Sequence, residues 1–296
     1  MGDEEMKSIE SHEKNLDGLA RVYDSHLKTL TRYKTHFVQD TSRDEFNLEA
    51  VATTELDCFC LGGYLEKVSK DALREHLCKA QFFTAMMQRR NQVSQDDVFP
   101  FCYGGREFKL VGHKGRFPIE APDWFNSVAL TIIAGKFEDL NDLMAIEENG
   151  LLEYRSKQTQ LAIDLRLHCL GLKPSPEPEA LLESFLAEIN VNQKIPEKKE
   201  LALGGLTITL GFFDVMRAIH AKDETDYRQA MYKAVEMHKE WFTHDDDFSL
   251  RLIGNISLPL LAAAKYAYVK YGFTLDFETP YLPTYVFTEQ PEGAQV

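Results

Sequence analysis

Near the N-terminus apolar residues return every third or fourth position. Leu16, Leu19, Tyr23, Leu27 and Leu30 form one stripe, the pattern of an amphipathic helix. Ser42 and Glu45 have the spacing of a capping box, so a second helix is predicted from there through Phe46, Leu56, Phe59 and Cys60 to the Gly62-Gly63 pair. Ser69 is the predicted cap of a third, which carries Leu73, Leu77, Ala80 and Met87. The rhythm then breaks. Between Phe99 and Phe117 aromatic and branched residues flank Gly104-Gly105, which predicts a short β-hairpin or an ordered loop. Pro122 suits a first helical position, and Trp124, Val128, Ile132 and Ile133 follow at helical spacing up to a stop at Gly135. A shorter helix bears Phe137, Leu140, Leu143 and Met144 and ends at Asn149-Gly150.

The second half reads the same way. A helix is expected over Leu151 to Leu170, closed by Gly171, and further helices over Glu179–Asn190, Leu201–Ala221, Asp226–Phe242 and Ser257–Tyr271. The last has Ser257 as its cap, Pro259 near its start and Gly272 at its end. The alternating run Phe273–Glu278 predicts a strand leading into Pro280-Tyr281-Leu282-Pro283. About ten helices joined by short turns make a mostly all-α fold, with strand confined to a hairpin near 99–117 and a segment near 273–278. It is either a multi-helix bundle or an irregular stack of helix pairs, since no strict internal period is present. The run Lys173-Pro174-Ser175-Pro176-Glu177-Pro178 is the clearest linker. The chain reads as a single helical domain of 296 residues, or as two lobes, 1–172 and 179–296, on either side of that run.

Composition changes this picture little, with 44% hydrophobic and 27% charged residues, close to the globular average. The five cysteines are odd in number and irregular in spacing, so no disulfide framework is implied and a reducing compartment is expected. An acidic start without an apolar core predicts no signal peptide, and Met6 stands where a myristoylation motif needs Ser or Thr. The apolar stretch Leu258–Tyr268 is short and interrupted by Lys265, so no membrane span is expected there. These readings point to the cytoplasm and away from a membrane partner. Charge matters more. The net value of −14, from 33 basic and 47 acidic side chains, disfavours nucleic acid and favours a basic protein partner. Solubility alone also accounts for such a charge.

Candidate chemistry is sparse. There is no phosphate-binding loop and no dinucleotide fingerprint, and the pairs Gly62-Gly63 and Gly204-Gly205 read as close helix packing or a bend. On a helix Cys58 and Cys60 point to different sides, as do His76 and Cys78, so neither pair chelates one ion. His238, His244 and the acids after them are an incomplete ligand set. Neither a metal nor an organic cofactor is expected. No Gly-x-Ser-x-Gly elbow is present, and paired carboxylates are too common to identify a site. Trp124 and Trp241 each read as a core anchor or as a binding hot spot. Acidic clusters remain: Asp44, Glu45 and Glu49; Glu138, Asp139 and Asp142; Glu147-Glu148; and Asp245-Asp246-Asp247, the densest, between two predicted helices. The candidate protein-binding residues are Asp245, Asp246, Asp247, Glu138, Asp139 and Asp142, read either as a docking surface or as solvated faces.

Two stretches resemble the immunity protein 49 family of bacterial polymorphic toxin systems. The first runs from Asp123-Trp124 through Gly135 to Leu140 and Leu143, and is similar to that family's Trp-bearing helix, glycine turn and Leu-rich helix. The second runs from Ser257-Leu-Pro259 along an alanine-rich helix to Gly272 and on to Pro280-Tyr-Leu-Pro283, and is similar to the family's C-terminal ending. The resemblance extends from about the second helix to Val286, drawing nothing from the first helix or from Phe99–Phe117. It implies a non-catalytic antitoxin that binds a cognate, basic toxin domain. The competing readings are an α-helical repeat scaffold for another cellular protein and an enzyme of unrecognised type.

Overall fold

The computed structural model describes residues 7–11, 15–39, 48–65, 67–116, 118–173, 175, 177–244 and 254–288. Contacts divide the chain into two compact units: Asn15–Glu153 forms most of one, and Met1–Lys14 with Tyr154–Glu289 the other. The division falls between Glu153 and Tyr154, ahead of the Pro-rich run, so the helix before that run and the helix after it share a unit.

In the unit of 15–153 the helices are α1 (Leu16–Gln39), α2 (Leu48–Gly62), α3 (Lys70–Arg90), α4 (Ala121–Ile133) and α5 (Leu140–Glu148). The expected capping box at Ser42 and Glu45 lies outside the described residues. Ser69 does cap α3, its Oγ accepting from the Ala72 amide at 3.2 Å. The apolar stripes meet as the spacing requires: Leu19, Tyr23 and Leu30 of α1, most of α2, and Leu73, Leu77, Ala80 and Phe83 of α3 are all buried. Gly62 allows the closest approach, because a Cβ there would collide with Leu73 and come within 3.2 Å of the Tyr23 ring. The hairpin is real: β2 (Val98–Tyr103) pairs antiparallel with β3 (Arg106–Val111). Gly104 (φ 57°) and Gly105 (φ 74°) supply the two positive dihedrals of a type I′ turn. One hairpin face buries Phe99, Phe101, Phe108 and Leu110. The Arg90 side chain fastens it to α3 by donating to the Val111 carbonyl at 2.7 Å.

The other unit holds α6 (Lys157–Cys169), α7 (Pro178–Asn192), α8 (Lys199–Ala221), α9 (Glu224–Thr243), α10 (Leu258–Tyr271) and α11 (Tyr285–Thr288). Helix α8 packs on α6, α7, α9 and α10 and is the centre of this unit. By length and apolar composition Pro196–Ala221 passes for a membrane span, a run the reading of Leu258–Tyr268 overlooked; half of its most apolar window is buried, as in a core helix. Three of its glycines are cut to fit neighbours. A Cβ on Gly204 would lie 2.5 Å from the Trp241 ring, and one on Gly211 3.2 Å from Ala234, so α8 and α9 approach at two points seven residues apart. A Cβ on Gly205 would strike the Gln158 amide, which ties three helices: it donates to the Leu201 carbonyl at 2.9 Å and accepts from Asn192 at 2.9 Å. Both expected glycine pairs therefore include a close-packing position.

Several element boundaries differ from expectation. Leu152–Glu153 is not the start of a helix but a two-residue strand, β5, paired in parallel with β4 (Ile119–Glu120). Helix α6 begins only after Ser156, whose Oγ caps it by accepting from Thr159 at 3.1 Å. Helix α9 is capped by Asp223 rather than starting at Asp226. Ser257 stands at the head of α10 without a side-chain cap; its amide instead donates to the Tyr281 carbonyl at 3.1 Å. The expected strand over 273–278 shrinks to β6 (Phe277–Glu278), whose parallel partner is β1 (Lys7–Ser8).

Candidate functional site

Two of the three described carboxylates of the candidate surface, Asp139 and Asp142, are paired within their own unit. Phe137–Asp139 forms a 3-10 turn that runs directly into α5 and brings Asp139 and Asp142 to the same arginine of α3. Arg89 holds Asp139 at 2.6 Å through Nη2 and Asp142 at 2.8 Å through Nε. The second oxygen of Asp139 accepts from Gln81 at 3.1 Å. Glu138 is the outward member, with Lys136 at 3.9 Å. The cluster is thus largely charge-matched by residues of its own unit, which weakens its field toward solvent. Asp245, Asp246 and Asp247 lie outside the described residues.

A buried relay is the arrangement closest to a catalytic geometry. The Tyr23 hydroxyl sits 3.3 Å from His76 Nε2, and His76 Nδ1 sits 2.5 Å from a Glu55 carboxylate oxygen. Hydroxyl, imidazole and carboxylate in that order are what an activated nucleophile needs. Here, however, burial first, then Cys58, Asp24 and Glu55, push the Tyr23 hydroxyl up to about 12. Glu55 is 1% exposed and His76 8%. The three groups satisfy one another across α1, α2 and α3, as buried polar groups must. His238 is likewise committed, bonded to the Gly254 carbonyl at 3.0 Å and packed on Phe242 and Tyr281. Among the described residues no group of three or more His, Cys, Asp or Glu side chains is placed to hold a metal ion.

The two tryptophans part company. Trp124 is fully buried, and its indole N–H donates to the Leu143 carbonyl of α5 at 2.9 Å, so it is a core anchor. Trp241, near the end of α9, is only partly covered. One part of its ring lies over Gly204, and His244 stacks on it with centroids 4.6 Å apart. The rest lines a solvent-open groove of about 460 Å³ between the start of α8 and the end of α9. Leu203 and Pro196 add apolar wall, Thr207 a hydroxyl, and Lys199, Glu200 and Glu240 charged rims. Leu203 falls off the buried stripe of α8, formed by Ala202, Thr209 and Met216, and is 38% exposed. Sequence reasoning missed this groove, although its signals were present: a Gly pair on one helix, a Trp at the end of the next, and a leucine beside rather than within the stripe.

The family model of immunity protein 49 matches residues 74–286. Comparison with curated proteins and with solved structures yields no match. The matched span begins inside α3, takes in the hairpin, which the resemblance had not drawn on, and ends in α11. It includes the Trp124 helix, the Trp241 groove and the alanine-rich α10. Because the match covers more than two thirds of the 296 residues, the chain belongs to the immunity protein 49 family.

Proposed function

We propose that this protein is an antitoxin: it binds a cognate bacterial toxin domain and neutralises it by covering surface the toxin needs, with no catalytic step of its own. The observation that carries this is membership of the immunity protein 49 family. The commitment of the Tyr23–His76–Glu55 relay to packing supports it, since the geometry nearest to a nucleophile is buried and its groups bond to one another. The net charge of −14 supports a basic partner, which such a field draws in at an enhanced rate. The same charge repels phosphate backbones, and the reduced, unpaired cysteines fit a cytoplasmic setting.

Co-expression tests the proposal. The toxin domain encoded beside this gene is induced in cells with and without the antitoxin, and survival is counted. Survival restored only when the protein is present, together with co-elution of the two chains on gel filtration, is the expected result. Killing that continues despite abundant, folded protein overturns it.

A further inference from the structure

We infer that the groove between α8 and α9 receives an arginine-bearing basic segment of the toxin domain, its aliphatic stem lying on Leu203 and Trp241 and its guanidinium meeting Glu200 and Glu240. This rests on the antitoxin reading above and names the contact within it.

Size comes first. A groove of about 460 Å³ is large enough for more than one side chain. It falls inside the range of roughly 300–1,000 Å³ in which proteins hold ligands. Its chemistry is divided. Leu203, Pro196 and part of the Trp241 ring give it apolar lining, while Glu200 of α8 and Glu240 of α9 add exposed carboxylates. An amphipathic cation matches that division, because its methylene stem can lie on the apolar lining while its charged end meets the carboxylates.

Commitment separates this place from several other acidic positions. Asp139 and Asp142 are held by Arg89, and Asp164, Glu188, Glu224 and Asp226 each have a basic partner within 4 Å. Among the described residues Glu200 and Glu240 have no such partner. Two carboxylates face one ammonium, Lys199, along the lining, so a cation is the charge the groove lacks. Arginine fits better than lysine. Its planar guanidinium stacks on an indole and offers donors on two edges, one for each carboxylate. Trp241 is also prepared for such contact: Gly204 behind it and the His244 stack beside it restrict the ring before any partner arrives. A partly exposed, already restricted tryptophan gives contact area with little further loss of entropy, as binding hot spots do.

The test measures binding of the full-length protein to the purified toxin domain across salt concentrations. Wild type is measured first; if it does not bind, the antitoxin reading itself fails. Given binding, Trp241→Ala is expected to weaken it roughly thirtyfold or more. The paired variant Glu200→Gln/Glu240→Gln, which keeps size and polarity, is expected to weaken it about tenfold at low salt and flatten the salt dependence. Glu179→Gln/Glu183→Gln near the start of α7 makes the same change in net charge and should leave affinity within about twofold, because only distant steering is altered. One arginine of the toxin should lose as much on replacement by Ala, and that loss should disappear in the Glu200→Gln/Glu240→Gln background, the mark of a direct pair. Wild-type binding with both groove variants unaffected overturns the inference. So does equal weakening by the α7 control, or losses on the two sides that simply add.

Discussion

Trp124 and Trp241 are the same side chain placed near a helix terminus in each of the two units, and they do opposite things. What separates them is the surrounding helices. Trp124 meets α5 at a distance that lets its N–H bond to the Leu143 carbonyl and closes the site to solvent. Trp241 meets a glycine on α8, which accepts part of the ring, while another part lines the groove. A large aromatic therefore becomes closed core or groove lining according to what its neighbours cover, a property of partners rather than of the residue.

The sharpest way to break the comparison is to truncate each ring and measure urea unfolding. Trp124→Ala should cost about 3–5 kcal/mol, the range for emptying a large aromatic from a closed core. Trp241→Ala should cost only about 1–2 kcal/mol, because less apolar area returns to water. Equal losses would mean that the groove ring is as structural as the buried one.

A double-mutant cycle sharpens the same point. Gly204→Ala brings a Cβ to 2.5 Å from the Trp241 ring, so the ring must move. In wild type the net effect is expected to be a loss of about 1 kcal/mol, overpacking outweighing the helix propensity gained. With Trp241 already replaced by Ala the obstacle is gone, and Gly204→Ala should stabilise by about 0.5–1 kcal/mol. Effects of the same sign in both backgrounds would show that Gly204 is not there to seat the ring.

Legibility in the sequence follows the range of the interaction. Helices α3, α4 and α8 could be read because each carries its own period, and the hairpin because Gly104-Gly105 is a local turn signal. The strands β1, β4 and β5 could not, since two residues carry no period and Lys7 finds its partner only at Phe277. The helix expected from Leu151 fails for the same reason: its first residues serve a distant strand. The cluster of Glu138, Asp139 and Asp142 was visible as charges, but its meaning depends on Arg89, which lies 50 residues from Asp139. The groove needs two helices in register, which no single stretch displays.

The smallest expected effects compare committed with uncommitted carboxylates. Asp139→Asn keeps the shape but gives up the charge that Arg89 and Gln81 share. The guanidinium retains Asp142 at 2.8 Å, so the loss should be about 1 kcal/mol rather than that of an orphaned buried ion. Glu200→Gln/Glu240→Gln removes twice the charge, yet no described cation depends on either group. The side chains stand at an exposed rim, where substitutions away from caps and networks stay within about 0.5 kcal/mol. In a chain of net charge −14, removing two negative charges also relieves some self-repulsion, which moves the expected change toward zero or slightly stabilising. Urea midpoints for the two variants, taken at low and at high salt, decide the matter. A marked loss in the double variant would show that Glu200 and Glu240 hold the fold, and would remove them from the surface left free for a partner.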